Sequence, residues 1–277
     1  MNDRITTEIQ PTLRQIVIYP IKSLAGSIVD RSKVSAGGTL EFDRRWAIVD
    51  ERGRVINAKH TAKIHELRSQ FELIPSEHRC LIQLQTASDS RNYTFCLTTE
   101  LTPLAQWLSQ FFGFAVSLVE NTVTGFPDDL NAYGPTIVST ASLEAVCEWF
   151  PELDLAEVRR RFRTNLEISD VPAFWEDRLF STPGEAVDFQ VGNVQFYGIN
   201  PCQRCIVPTR NSLTGRVTTK FQQLFSHLRQ QALPATVNIA RFNHFYRLAV
   251  NTQIPLSEAG KFLNTGDRFN VSSTQDH

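Results

Sequence analysis

Two cysteines three residues apart, Cys202 and Cys205, lie in the segment Asn200-Pro201-Cys202-Gln203-Arg204-Cys205-Ile206-Val207-Pro208-Thr209. Such a pair can form half of a zinc site, a thioredoxin-type redox couple, or a single working thiolate with a buried neighbour. Zinc requires two further ligands. Cys80, Cys96 and Cys147 are scattered singly, and none of the six histidines falls in a His-x-x-x-His spacing. A redox couple needs its first cysteine at a helix N-terminus, where the dipole lowers the thiol pKa, whereas Ile206-Val207-Pro208 reads as a continuing strand. Plain burial of two small apolar side chains under a turn is the remaining alternative. Arg204, adjacent to Cys205, and Arg210, five residues on, favour the working thiolate, because cationic neighbours stabilise the form that binds soft metals or attacks sulfur.

Basic residues recur at two other places. In Arg159-Arg160-Arg161-Phe162-Arg163-Thr164-Asn165 the first three read as a solvated helix end, where cations suit the dipole. Arg163 stands at a helix-to-strand corner and can offer a bidentate fork to a phosphate or carboxylate. Lys22 and Ser23 follow Tyr19-Pro20-Ile21 on a turn that could receive an oxyanion, with Asp43-Arg44-Arg45-Trp46 further on. The chain has no Gly-x-Gly-x-x-Gly, no Gly-x-x-x-x-Gly-Lys-Ser/Thr, no Gly-x-Ser-x-Gly and no His-Glu-x-x-His, so nucleotide-dependent, α/β-hydrolase and zincin readings have no footing. His60, His65 and His244 read as surface or boundary histidines.

The elements that must position these residues are mostly strands. Leu13 to Tyr19, Arg45 to Val49, Gln70 to Ile74, Cys80 to Leu84 and Asn92 to Leu97 are short, rich in β-branched and aromatic residues, and bounded by turn formers. Gly53 supplies the positive φ of a turn at 51–54. A helix starts with Thr102 as cap and Pro103 first, and Gly113 stops it. A strand at Ala115 to Val119 precedes a breaker-rich crossing loop, Asn121 to Pro135. Ser139 or Thr140 caps the next helix and Asp154 the one after. Strands resume at Leu166 to Ile168, Val194 to Ile199, Ile206-Val207 and Phe245 to Val250. An amphipathic helix with Phe221, Leu224, Phe225 and Leu228 on one face lies between the last two. Consecutive strands without intervening helices predict a mainly β, α+β chain of antiparallel sheets or barrels rather than a doubly wound parallel sheet. The polar ends, the first ten or so residues and Ser272 to His277, predict fraying.

Composition limits the partners. With 28 Lys+Arg against 29 Asp+Glu in 277 residues, no overall basic field exists to hold nucleic acid or an anionic membrane, and neither is expected as a partner. The charged N-terminus is unlike a signal peptide and the apolar stretches are too short to span a bilayer, which predicts a soluble, cytoplasmic protein. Five cysteines, an odd number, argue against a disulfide framework.

Pro201-Cys202-Gln203-Arg204-Cys205 followed by Asn211-Ser212-Leu213-Thr214-Gly215 resembles the Cys-x-Arg-Cys…Asp-Pro-x-Thr-Gly signature of MOSC domains, a family that includes the C-terminal domain of molybdenum cofactor sulfurases and the amidoxime-reducing components. Tyr19-Pro20-Ile21-Lys22-Ser23, Asp43-Arg44-Arg45-Trp46, Ser139 to Leu143, Phe162 to Asn165, Glu176-Asp177 and Gly266-Asp267 fall in the family's order, covering residues 12 to 271. The resemblance implies two β-barrel-like domains, a MOSC N-terminal-like barrel at 10–124 and a MOSC barrel at 125–271, with molybdopterin between them. It implies Cys205 as molybdenum ligand and catalytic thiolate. Lys22, Ser23, Arg44, Asn131, Ser139, Arg163, Asn165, Gln203, Arg204 and Thr209 are the implied cofactor-binding residues, while Cys202 stays open between support and chemistry. A thiolate suits molybdenum, and a buried phosphate wants several convergent cations.

The sequence departs from the family pattern at Asn131, where an acid is expected, at Thr164 in place of a proline, at Asn57-Ala58-Lys59-His60, and at Asn211. The implied function is reduction of N-hydroxylated or other N-oxygenated small molecules by a molybdenum-cofactor oxidoreductase. The chain lacks a cysteine set for an iron–sulfur cluster, so a separate electron donor is expected, a ferredoxin, flavodoxin or reductase. Sulfur transfer through a persulfide on Cys205 is the alternative, and cofactor storage a third. No segment suggests a Schiff-base lysine, so pyridoxal phosphate is not expected.

Overall fold

A computed structural model describes residues 10–271. The polar ends expected to fray lie, Gln10 apart, outside these residues. Strand β1 (Thr12–Ile18) is followed by β2 (Ser27–Val29), β3 (Arg31–Lys33) and β4 (Trp46–Asp50). A meander of β5 (Leu67–Ile74), β6 (Arg79–Thr86) and β7 (Asp89–Cys96) leads into helix α1 (Leu101–Phe112) and β8 (Val116–Glu120). Then come β9 (Ile137–Ser139), α2 (Thr140–Trp149), α3 (Leu155–Phe162), β10 (Leu166–Ser169), β11 (Val187–Val191) and β12 (Val194–Gln203). The chain continues through α4 (Phe221–Gln231), β13 (Arg247–Gln253), β14 (Phe262–Asn264) and β15 (Phe269–Val271). The protein is mainly β, and no helix among the described residues is long and apolar enough to cross a membrane.

An eight-stranded sheet runs in the order β15-β11-β12-β13-β9-β10-β1-β2; smaller sheets are β14-β3, β4-β8 and β5-β6-β7. Among the strand pairs of the described residues only β9–β10 is parallel, and short turns join the antiparallel neighbours β5–β6, β6–β7 and β11–β12. The first strand therefore sits inside the sheet built by residues 137–271, with Ile16 opposite Leu166. That places the Lys22 turn beside the Arg163 corner.

Local signals account for most element ends. Alternation in β6 buries Cys80, Ile82 and Leu84 on one face. Ser139 accepts the Ser142 N–H at 3.1 Å and Asp154 the Glu157 N–H at 2.6 Å, and each caps its helix as predicted. Gly113 stops α1 with φ +82°.

Three expectations are corrected. Helix α1 starts at Leu101, not after a Thr102 cap, because the chain turns out of β7 through a Glu100 N–H to Cys96 carbonyl bond of 2.7 Å and Glu100 takes the cap position. Leu224 is 40% exposed, and the inner face of α4 is instead Phe221, Phe225 and Arg229. Arg229 is drawn inward by a buried pair with Asp177 and a place 4.2 Å over the Phe174 ring. Ile206-Val207 is not a strand: β12 carries Cys202 and ends at Gln203, and Val207–Thr209 forms a tight turn in which Thr209 Oγ1 donates to the Ile206 carbonyl at 2.7 Å.

Candidate functional site

The end of β1 and the C-terminus of α3 bring four cations to one place. Arg44 is held by Asp43 at 2.5 Å and donates to Asn165 Oδ1 at 3.0 Å. Asn165, itself buried, also accepts the Thr136 N–H and donates to the Val17 carbonyl at 3.0 Å, so it locks Arg44 to the sheet. Arg163 lies 4.2 Å over the Tyr19 ring and donates to the Leu24 carbonyl; Arg44 approaches the same ring at 5.4 Å. Lys22 pairs with Asp128 at 2.9 Å and donates to the Pro127 carbonyl. Arg204 donates to the Phe162 carbonyl and, at 3.0 Å, to Cys202 Sγ.

The electrostatics fit an anion site. Four cations share the cluster with two carboxylates, Asp43 and Asp128. Burial raises the Tyr19 hydroxyl pKa, while Arg163, Arg44 and Arg204 pull it down, and the first two of these guanidiniums lie over its ring. Burial, and then Arg44, lower the Arg163 pKa, and among the described residues no carboxylate pairs with it at ion-pair distance. Partial desolvation would raise Asp128, but Lys22 and Arg44 outweigh it and hold the carboxyl down at about 2. The backbone is strained at the same spot: Ser23, Arg44 and Arg163 have φ of +76°, +47° and +53°. Non-glycine residues in this region cost roughly 1 to 3 kcal/mol each and persist where surrounding structure imposes them.

The thiol loop adjoins this cluster through Arg204. Cys205 is exposed on the turn after β12, Gln203 is exposed at the strand's last position, and Cys202 is half-buried against the α2–α4 core. A polar network ties the loop to α3. Glu157 accepts from Arg161 Nε and the Ser212 N–H, both at 2.8 Å, and Arg161 donates to Thr218 Oγ1 at 3.0 Å. The solvated-end reading of Arg159 to Arg161 is thus corrected, since Arg161 is 3% exposed and Arg159 pairs with the buried Glu167 at 2.6 Å.

Residues 10–115 match the family of the MOSC N-terminal beta barrel domain. Among curated relatives, a molybdenum cofactor sulfurase of Drosophila mojavensis is 26% identical over 75% of this chain and 29% of its own length. Those of Drosophila persimilis and Homo sapiens are 25% and 23% identical, over 85% and 78% of this chain and 33% and 28% of theirs. The chain spans about a third of the length of these relatives.

The structure groups Lys22, Ser23, Arg44, Arg163, Asn165 and Arg204, with Cys205 next in sequence. It does not bring every predicted residue with them. Ser139 is fully buried and its hydroxyl bonds Ser142 at 2.7 Å as a helix cap; the Thr209 hydroxyl is turned into its own turn. Asn131 is exposed, and its carbonyl accepts from Gln253 Nε2. His65 is buried rather than superficial, Nδ1 lying 3.2 Å from the Ser212 carbonyl. His244 Nδ1 accepts the Tyr246 N–H at 3.2 Å. Sequence reasoning missed Tyr19 as the ring between the arginines, Asp128 as partner of Lys22, and Tyr246, whose carbonyl accepts the Arg204 N–H at 3.1 Å. An aromatic residue three positions before Lys22 and the acid pair at 128–129 were the available signals.

Proposed function

We propose that this chain binds a molybdenum cofactor with Cys205 as the protein's thiolate ligand. In this reading it reduces N-hydroxylated or other N-oxygenated small molecules with electrons from a separate donor protein. The observation that carries the reading is the cluster of Arg44 and Arg163 over the Tyr19 ring, with Lys22 paired to Asp128 beside them and Arg204, anchored to the end of α3, immediately before an exposed thiol. The residues present fit the group. A pterin phosphate needs several cations, and among the described residues Arg163 has no carboxylate partner and the buried Arg204 Nε no hydrogen-bond partner. When bound, the cofactor supplies two-electron oxygen-transfer chemistry; the protein supplies binding, orientation and electrostatics. Asn165 fixes the Arg44 fork, the Tyr19 ring walls the site, and the Glu157–Arg161 network holds the thiol loop against α3. We also propose a division of the chain into 10–124 and 125–271, with the site at their junction.

Exposure of Cys205 beside a guanidinium favours a second reading, sulfur transfer through a persulfide on that thiol, in keeping with relatives named sulfurases. Protein purified from a cofactor-competent host decides between them. Stoichiometric molybdenum and pterin, with amidoxime reduction by reduced dye that Cys205→Ala abolishes, supports the reductase. Absence of pterin from such a host sinks it, and a Cys205 persulfide found by mass spectrometry without reductase activity selects sulfur transfer.

A further inference from the structure

The near-neutral chain hides a polarised stretch. Residues 189–257 contain seven arginines and lysines and no aspartate or glutamate. Only Arg229 among them meets a carboxylate at ion-pair distance within the described residues, through Asp177. This stretch builds the surroundings of Cys205. Immediately after the thiol, Ile206, Val217, Lys220, Phe221 and Gln222 line an open groove of about 480 Å³. Ile206 is 44% exposed and Val217 54%, with Leu213 and Leu224 exposed nearby. Lys220 lines the groove itself, and Arg216 stands next to Val217 in the chain, which an isolated bridge pairs with Arg210, whose guanidinium turns to the Gly215 carbonyl; among the described residues Lys220 and Arg216 are thus the free cations at the apolar centre. Arg216 and Lys220 are exposed and without ion pairs among the described residues.

We infer that this groove is the docking face for an acidic protein that serves the Cys205 site, one presenting carboxylates around a protruding apolar side chain. The inference rests on the proposed requirement for a separate electron donor and adds the donor's surface chemistry and its landing place. An apolar centre inside a charged rim is the composition of a protein interface, in which the rim steers the encounter and the centre holds the complex. A nucleic acid would match the rim but leave the exposed aliphatics and the groove unused, because phosphates carry no apolar knob.

The test uses the cofactor-loaded chain with a reduced acidic plant-type ferredoxin as probe, measuring its affinity by calorimetry and the ferredoxin-driven rate. The Arg216→Glu/Lys220→Glu double variant should lose at least tenfold in both, as should wild type on raising salt from about 50 to 500 mM. Dye-driven turnover and melting temperature should stay unchanged, and Arg52→Glu, in the turn after β4, should match wild type. Val217→Ser should weaken binding several-fold while keeping its salt dependence. Equal ferredoxin affinity in wild type and the double variant overturns the inference. So does preferential binding of single-stranded DNA to this face with no ferredoxin binding. Absence of dye-driven turnover in every protein counts against the reductase reading alone, and the calorimetry still decides the docking face.

Discussion

Tyr246 carries a hydroxyl that no group accepts or satisfies: the residue is 1% exposed, and its ring packs 5.2 Å from Phe225. Burial raises its pKa, so it stays protonated, and the Arg204 and Arg161 guanidiniums only partly offset this. A buried unsatisfied hydroxyl costs roughly 1 to 3 kcal/mol. Tyr246→Phe is therefore expected to unfold at equal or higher denaturant concentration than wild type, and a lower midpoint would mean that the hydroxyl has an acceptor. Glu176 is the other outlier, 1% exposed, with the Ser139 and Ser142 hydroxyls beside its carboxylate and no cation paired with it among the described residues. Burial, then Asp177, raise its pKa to about 7. The folded chain then holds a proton that the unfolded chain has released above its ordinary carboxylate range. This contribution is fully present below the unfolded pKa and is lost as pH rises through about 7, at up to about 1.4 kcal/mol per pH unit. Urea unfolding of wild type and Glu176→Gln at pH 5, 6, 7 and 8 should show wild type losing stability relative to the variant up to pH 7 and a constant difference above it.

At the scale of elements, α3 explains why Arg163 is where it is. Asp154 starts the helix, Glu157 and Arg161 fasten it to the thiol loop, and the chain leaves through Arg163 in a left-handed conformation that glycine adopts more easily. Arg163→Gly should thus be about 1 kcal/mol more stable than Arg163→Ala, while both lose pterin retention alike; equal retention in wild type and either variant would remove Arg163 from the site. The caps at Ser139 and Asp154 and the stop at Gly113 were readable from sequence because each is made by residues within four positions. The inner face of α4 was not, because Arg229 turns inward to meet Asp177, 52 residues away. The three-residue strands β2, β3, β9, β14 and β15 were also missed, since they are strands only by virtue of their partners. The cations of the site were legible by type and order, but the acids that hold them, Asp43 and Asp128, became partners only when the fold placed them there. Ser139 shows the converse: the same hydroxyl that suited a ligand is consumed by the cap.

The largest scale turns on one strand. β1 lies within the MOSC N-terminal match yet pairs with β10 along Thr12↔Ser169 to Ile16↔Leu166, and β3 pairs with β14 from Lys33↔Phe262 to Arg31↔Asn264. One hydrophobic cluster likewise runs from Leu13 through Ile82 and Leu166 to Phe269. A chain cut at the proposed 124/125 division would therefore expose two strand edges and open that core, and unpaired apolar edges aggregate rather than stay folded. Residues 125–271 expressed alone should lack a cooperative unfolding transition and dispersed amide resonances, and co-expression with residues 10–124 should restore both. A cooperative, monomeric 125–271 would show that β1 only covers a finished domain. Under the expected outcome the cations from the two parts, Lys22 and Arg44 from one and Arg163 and Arg204 from the other, can converge only in the folded whole. Anion binding and global stability should then be lost together in the split chain.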